Sequence, residues 1–143
     1  MDADDLVTRL LRVWDDLPDA DEDARAAFLT LYTDPVRING AETPIDDLVV
    51  RARMMRGALH ERSTEVLSVV SSQDRVAVAF RMHGVLAGPL DTPIGPVPGS
   101  GETVTMQVID VLTLTEGRIS EIWMVADQLG LLARLGAVAL TSR

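Results

Sequence analysis

In ETVTMQVIDVLTLTEGRISEIWMVADQLGLLARLG (residues 102–136) the hydrophobic period changes from that of a strand to that of a helix. Val104, Met106, Val108, Leu112 and Leu114 alternate with Thr103, Thr105, Gln107, Ile109, Val111 and Thr113. That is the two-residue period of a strand with one apolar face. Glu116-Gly117 marks a hairpin, and RISEIWMVA (118–126) reads as the returning strand. After Asp127 an apolar segment of about 128–135 reads as a helix, which Gly136 is placed to stop.

Working outward, STEVLSVV (63–70) and RVAVAFRMHGV (75–85) carry the same period, with Gln73-Asp74 between them. LAGPLDTPIGPVPGSG (86–101) holds four prolines and four glycines. It reads as a long hairpin loop, of a length often used for lids. Towards the N-terminus, Leu6, Leu10, Val13 and Trp14 have helical spacing, and Pro18 ends that helix. DEDARAAFLTLY (21–32) predicts a second helix, broken by Asp34-Pro35. A short strand VRI (36–38) then ends at Asn39-Gly40. In TPIDD (43–47) Thr43 is a candidate cap, Pro44 suits the first helical position and Asp46 is a capping-box acid. That helix runs to about Leu59. The expected fold is α+β, with a curved antiparallel sheet wrapped around N-terminal helices to leave a conical pocket.

At 143 residues the chain is expected to form one domain over 1–143, large enough to bury ~70% of its unfolded surface. Hydrophobic residues make up 47% of it. No apolar run reaches the ~18 residues of a membrane span, and the acidic start is unlike a signal peptide, so a cytoplasmic location is expected. A net charge of −9 disfavours nucleic acid and anionic membranes as partners. The acids of DADD (2–5) and DDLPDADED (15–23) read as helix-start charges or a solvated face.

With no cysteine and no lysine, thiolate, disulfide, Schiff-base and Walker-type chemistry have no residues to use. Two histidines cannot build a three-histidine centre, and neither a metal nor a cofactor is expected. Carboxylates, His60, His83 and the single tyrosine, Tyr32, remain for acid–base work.

Asp110 falls on the apolar face of its strand, where an isolated carboxylate is costly. It must be paired, for instance by Arg81, turned out by a bulge, or placed against a wet cavity. Asp127 can be the cap of the last helix or a carboxylate at a cavity mouth, with the raised pKa of a general acid/base. His83 reads as a surface or interface residue, and His60 as a complement to a helix dipole. Met54, Met55, Met82, Met106 and Met124 are core filler or the lining of an irregular apolar site. Trp14, Tyr32, Phe80 and Trp123 are the aromatics available to stack on a planar ligand.

GRISEIWMVADQLGLLARLG (117–136) resembles the C-terminal signature of the SnoaL-like polyketide cyclases: a G-[RK]-I-x-E-x-W hairpin, an aspartate, then G-L-L-x-x-L-G. LYTDPVRI (31–38), DRVAVAFRMHGVLAGPL (74–90) and PGSGETVTMQVIDVLTL (98–114) extend the similarity to about residues 5–136. The resemblance implies a cystatin-like cone, within a superfamily that also holds ketosteroid isomerase and limonene epoxide hydrolase relatives. It further implies ring closure by intramolecular aldol condensation without metal or cofactor, and homodimers or higher oligomers formed through the outer sheet face. Asp127 matches the family's acid/base, and Asp110 matches an acid frequent in the preceding strand. Asn39 stands where relatives often carry a pocket-lining histidine or aspartate.

The reading that follows is a cyclase acting on a small hydrophobic or aromatic substrate. Its candidate catalytic residues are Asp127 and Asp110, and Trp14, Tyr32, Asn39, Met55, Phe80, Met82, Met106 and Trp123 would contact substrate. Epoxide hydrolysis, isomerisation with Tyr32 holding an enolate, and non-catalytic binding of an apolar ligand are the alternatives.

Overall fold

The computed structural model describes residues 2–142. Helix α1 (Ala3–Asp15) starts at Asp2, whose carboxylate accepts from the amides of Asp4 and Asp5, so the first acidic patch satisfies open donors of the helix. Leu6, Val7, Leu10 and Val13 form its buried face. Helix α2 (Asp21–Leu29) carries three acids in its first turn and buries Ala24 and Phe28. Helix α3 (Ile45–Ala58) packs against both and buries Ile45, Leu48, Val49, Ala52 and Ala58.

Part of the second acidic patch is paired rather than only solvated. Arg53 meets Asp21 at 2.8 Å and Arg56 meets Asp19 at 3.4 Å, which ties α3 to the chain on either side of Ala20. Such exposed pairs contribute at most about 1 kcal/mol each.

The sheet comprises β1 (Tyr32–Ile38), β2 (Ala41–Thr43), β3 (Leu59–Ser72), β4 (Arg75–Leu86), β5 (Thr103–Thr115) and β6 (Arg118–Ala126). Its order is β2-β1-β6-β5-β4-β3, and a short helix α4 (Gln128–Arg134) closes the chain. The α+β cone is as expected, but the sheet is mixed rather than antiparallel. β1 runs parallel to β6, while the other neighbours are antiparallel. The strand that follows the N-terminal helices must close the sheet beside the last strand, a pairing that periodicity cannot reveal.

Local boundaries differ for identifiable reasons. The second helix stops at Leu29 instead of reaching Tyr32, which begins β1 opposite Ile119. Thr43 does not cap α3; its hydroxyl donates to the Ala41 carbonyl. The Ile45 amide donates instead to Asp34, from β1, at 3.1 Å. Asp34 also holds Arg25 at 2.8 Å, and its carboxyl lies below the ordinary range because the Ile45 amide and that guanidinium favour the charged form. His60 lies in β3 rather than at a helix end, because the chain passes from α3 into the strand without a turn.

The loop after β4 folds back on itself, with Leu90 and Val97 exchanging two backbone hydrogen bonds. It seats against the end of α3, where the Ala87 and Gly88 amides donate to Ala58. Gly88 is required there, since a Cβ at this position would lie 2.7 Å from the Gly57 carbonyl oxygen. Among the described residues no helix is long and apolar enough to cross a membrane.

Candidate active site

The inner face of β5 decides the site. Val104, Met106, Val108, Leu112 and Leu114 are all buried, and Asp110 is buried among them at 7% exposure. Across the ladder Asp110 faces Val78 of β4 and Met124 of β6. Arg81, the partner that would have neutralised it, lies on the opposite parity of β4 and meets Glu65 at 3.3 Å. No bulge turns Asp110 outward; the irregularity in β5–β6 falls beyond it, between Thr113 and Leu114.

The carboxyl of Asp110 makes no hydrogen bond to a described residue, and its Oδ1 is wholly buried. Burial pushes its pKa up to about 6, since the desolvated charge has no compensating donor.

Asp110 borders a cavity of about 450 Å³ between the helices and the inner sheet face. That is the size of a small-molecule site. Trp14, Tyr32, Met55, Phe80, Met82 and Met106 line the same cavity. The Trp14 indole N–H donates to the Tyr32 hydroxyl at 2.9 Å. Phe28 meets the edge of Trp14 at 5.3 Å and packs beside Tyr32 at 5.6 Å, which fixes both rings. Burial, opposed by the Trp14 hydrogen bond and reinforced by the nearby Asp110 charge, raises the Tyr32 pKa strongly, so the phenol stays neutral.

Three sequence-derived candidates lie elsewhere. Asp127 is exposed at the start of α4, where its Oδ1 accepts from the Gly130 amide at 2.9 Å. It is a helix cap outside the cavity lining, because the strand ends one residue before it and its carboxylate turns to the helix amides. Trp123, at 52% exposure, pairs with Val111 on the outer sheet face. Its neighbours Ile122 and Met124, together with Ala126, are the β6 side chains that border the cavity. Asn39 continues the β1–β6 pairing past the end of β1, accepting from the Met124 amide at 2.8 Å and donating to its carbonyl.

Sequence reasoning missed Arg62 and Asp15. They meet at 3.0 Å in the cavity wall, from β3 and the end of α1, and the Arg62 side chain is only 10% exposed. Forty-seven positions separate them, and the sole local signal was an arginine two residues before Thr64 on the same inward parity. Among the described residues no group of three His, Cys, Asp or Glu side chains could hold a metal.

The model of the family SnoaL-like polyketide cyclase matches residues 5–135. No curated protein matches the chain. Among solved structures, TsrD from Streptomyces laurentii superposes with a TM-score of 0.77 at 20% identity, covering 94% of this chain and 95% of that one. A SnoaL-like polyketide cyclase from Agrobacterium tumefaciens gives a TM-score of 0.72 at 19% identity, covering 95% and 100%. AclR from Streptomyces galilaeus, provisionally named a hydroxylase, gives 0.71 at 18% identity, covering 99% and 91%. At these identities the likeness shows a shared fold.

Proposed function

The chain belongs to the SnoaL-like polyketide cyclase family, and from that premise we propose that it is a cofactor-independent acid–base enzyme closing a ring in a polyketide-derived aromatic substrate. The observation that carries this reading is the unpartnered, buried carboxyl of Asp110 at an apolar cavity, with a pKa of about 6. Close to neutral pH such a group is a base whose conjugate acid still gives its proton back readily.

The step balances with one residue. Asp110 carboxylate takes a proton from a carbon flanked by two carbonyls, leaving an enolate. The enolate carbon attacks a carbonyl carbon of the same molecule; a C–C bond forms and that C=O becomes an alkoxide. The alkoxide then takes the proton from Asp110, which returns to its starting state. Tyr32, neutral and held by Trp14, is the donor available to the enolate oxygen. The cavity holds the chain folded, supplying rate through proximity.

This assigns the acid/base role to Asp110 rather than Asp127. An epoxide-hydrolase arrangement of two aspartates around one arginine has no support at Asp110, which pairs with no arginine among the described residues; Arg62 and Arg81 are engaged by Asp15 and Glu65. Association through the outer sheet face is part of the same proposal. Ile109, Trp123, Val125 and Val70 leave an apolar stripe there that a second copy would cover.

The test is deuterium exchange at the acidic methylene of a 2-naphthoylacetate ester in D₂O, followed by NMR. Wild-type protein should accelerate exchange, with a rate that falls below about pH 6. Asp110→Asn should abolish the acceleration while the far-ultraviolet circular dichroism is unchanged. Acceleration that survives in Asp110→Asn would place the base at another residue, and no acceleration by wild type would favour a binding protein.

A further inference from the structure

We propose that Arg62 anchors an acceptor oxygen of the substrate at the end of the cavity remote from Asp110. The proposal rests on the reading of the cavity as a substrate site.

The register places the two groups apart. Thr64 of β3 pairs with Met82 of β4, and Met82 pairs with Met106 of β5. Met106 lies four residues before Asp110, about 13 Å along the strand. Arg62 precedes Thr64, further still from Asp110. Apolar side chains occupy the interval, chiefly Phe80, Met82, Met106 and Val108. The cavity is thus an apolar slot with a carboxyl at one end and a guanidinium at the other.

The guanidinium is not fully engaged. Its Nη2 donates to the Trp14 carbonyl at 2.7 Å and meets Asp15 at 3.0 Å. Nε and Nη1 make no hydrogen bond to any described residue and are not wholly buried, although only 10% of the side chain is exposed. These two nitrogens are donors left open in the cavity wall, available to an acceptor that a ligand brings. Asp15, from the other side, fixes its position and balances its charge. Arg62 and Asp15 also form the partition between the cavity and a shallow outer depression of about 310 Å³.

Trp14 links the two ends. Its carbonyl holds Arg62 and its indole N–H holds Tyr32. A substrate with one oxygen on Arg62 would therefore lie along the indole, with its reacting carbon at Asp110. A carboxylate and a ketone or ester carbonyl share this recognition chemistry.

Three probes separate the cases: 2-ethylnaphthalene, methyl 2-naphthoate and 2-naphthoate, with affinities measured at pH 7 by quenching of tryptophan fluorescence. Wild type should hold at least one oxygen-bearing probe about tenfold more tightly than the hydrocarbon. Arg62→Gln should reduce that preference to within twofold and leave the hydrocarbon affinity unchanged. If Arg62→Gln leaves Asp15 unbalanced and misfolds, Asp15→Asn combined with Arg62→Gln tests the same point without a buried charge. Tighter binding of 2-naphthoate than of its ester assigns a carboxylate; equal binding of the two assigns a carbonyl. A wild type without the preference, or a preference that survives in these variants, overturns the anchor. Loss of the anchor while the naphthoylacetate exchange still depends on Asp110 leaves the acid–base reading standing. Exchange independent of Asp110 removes that reading and leaves the probe result intact.

Discussion

The Trp14 indole N–H donates to the Tyr32 hydroxyl at 2.9 Å, joining the first helix to the first strand beside Asp110. Tyr32→Phe keeps the ring and removes the acceptor, leaving a part-buried N–H unpaired. Such a loss costs about 1–3 kcal/mol. The expected outcome is a destabilised but folded protein in urea unfolding, with slower exchange at the naphthoylacetate methylene. Unchanged stability would mean that water replaces the hydroxyl.

Asp110 should make stability depend on pH in an identifiable direction. Its folded pKa of about 6 lies above the ordinary 3.8, so the native state binds this proton more tightly than the unfolded chain does. Its favourable contribution is complete below about pH 4 and is lost as pH rises through about 6. The whole difference is on the order of 3 kcal/mol. Asp110→Asn should therefore gain stability over wild type at pH 8, and the gap should narrow towards pH 4. An equal gap at both pH values would show that desolvation does not govern this carboxyl.

Asp127 offers the contrasting case. Asp127→Ala removes the acceptor of the Gly130 amide and should cost about 1 kcal/mol, as loss of an N-cap does. Asp127→Asn keeps a capping oxygen and should be nearly neutral. Neither should change the pH profile of methylene exchange. A profile that moves with Asp127→Asn would return the acid/base role to that residue.

The outer face gives a prediction about assembly. Ile109 and Val125 are directly paired on neighbouring strands and are 55% and 74% exposed. Ile109→Glu or Val125→Glu should shift sedimentation towards a single copy at concentrations where wild type associates, with no effect on the inner-face chemistry. Sedimentation of wild type as a single copy would overturn the proposed association.

Much of the fold was legible because it is written in short-range periodicity. The alternation in 103–114 and 75–85 specifies which face of each strand is buried, and so places Asp110, Phe80, Met82 and Met106 inward from local pattern alone. The chemical inventory was equally plain, since a chain without cysteine or lysine leaves carboxylates to move protons. What local pattern could not give is where non-adjacent segments meet. In IWMVA (122–126) both parities are apolar, so the sequence offered no way to assign Trp123 outward and Met124 inward. The parallel union of β1 with β6 brings Tyr32 towards Asp110, and the approach of α1 to β3 pairs Asp15 with Arg62. Asp127 and Asp110 were both candidates by composition. Tertiary packing separated them, because one carboxylate found an amide to accept from in water while the other was sealed in an apolar wall without a donor.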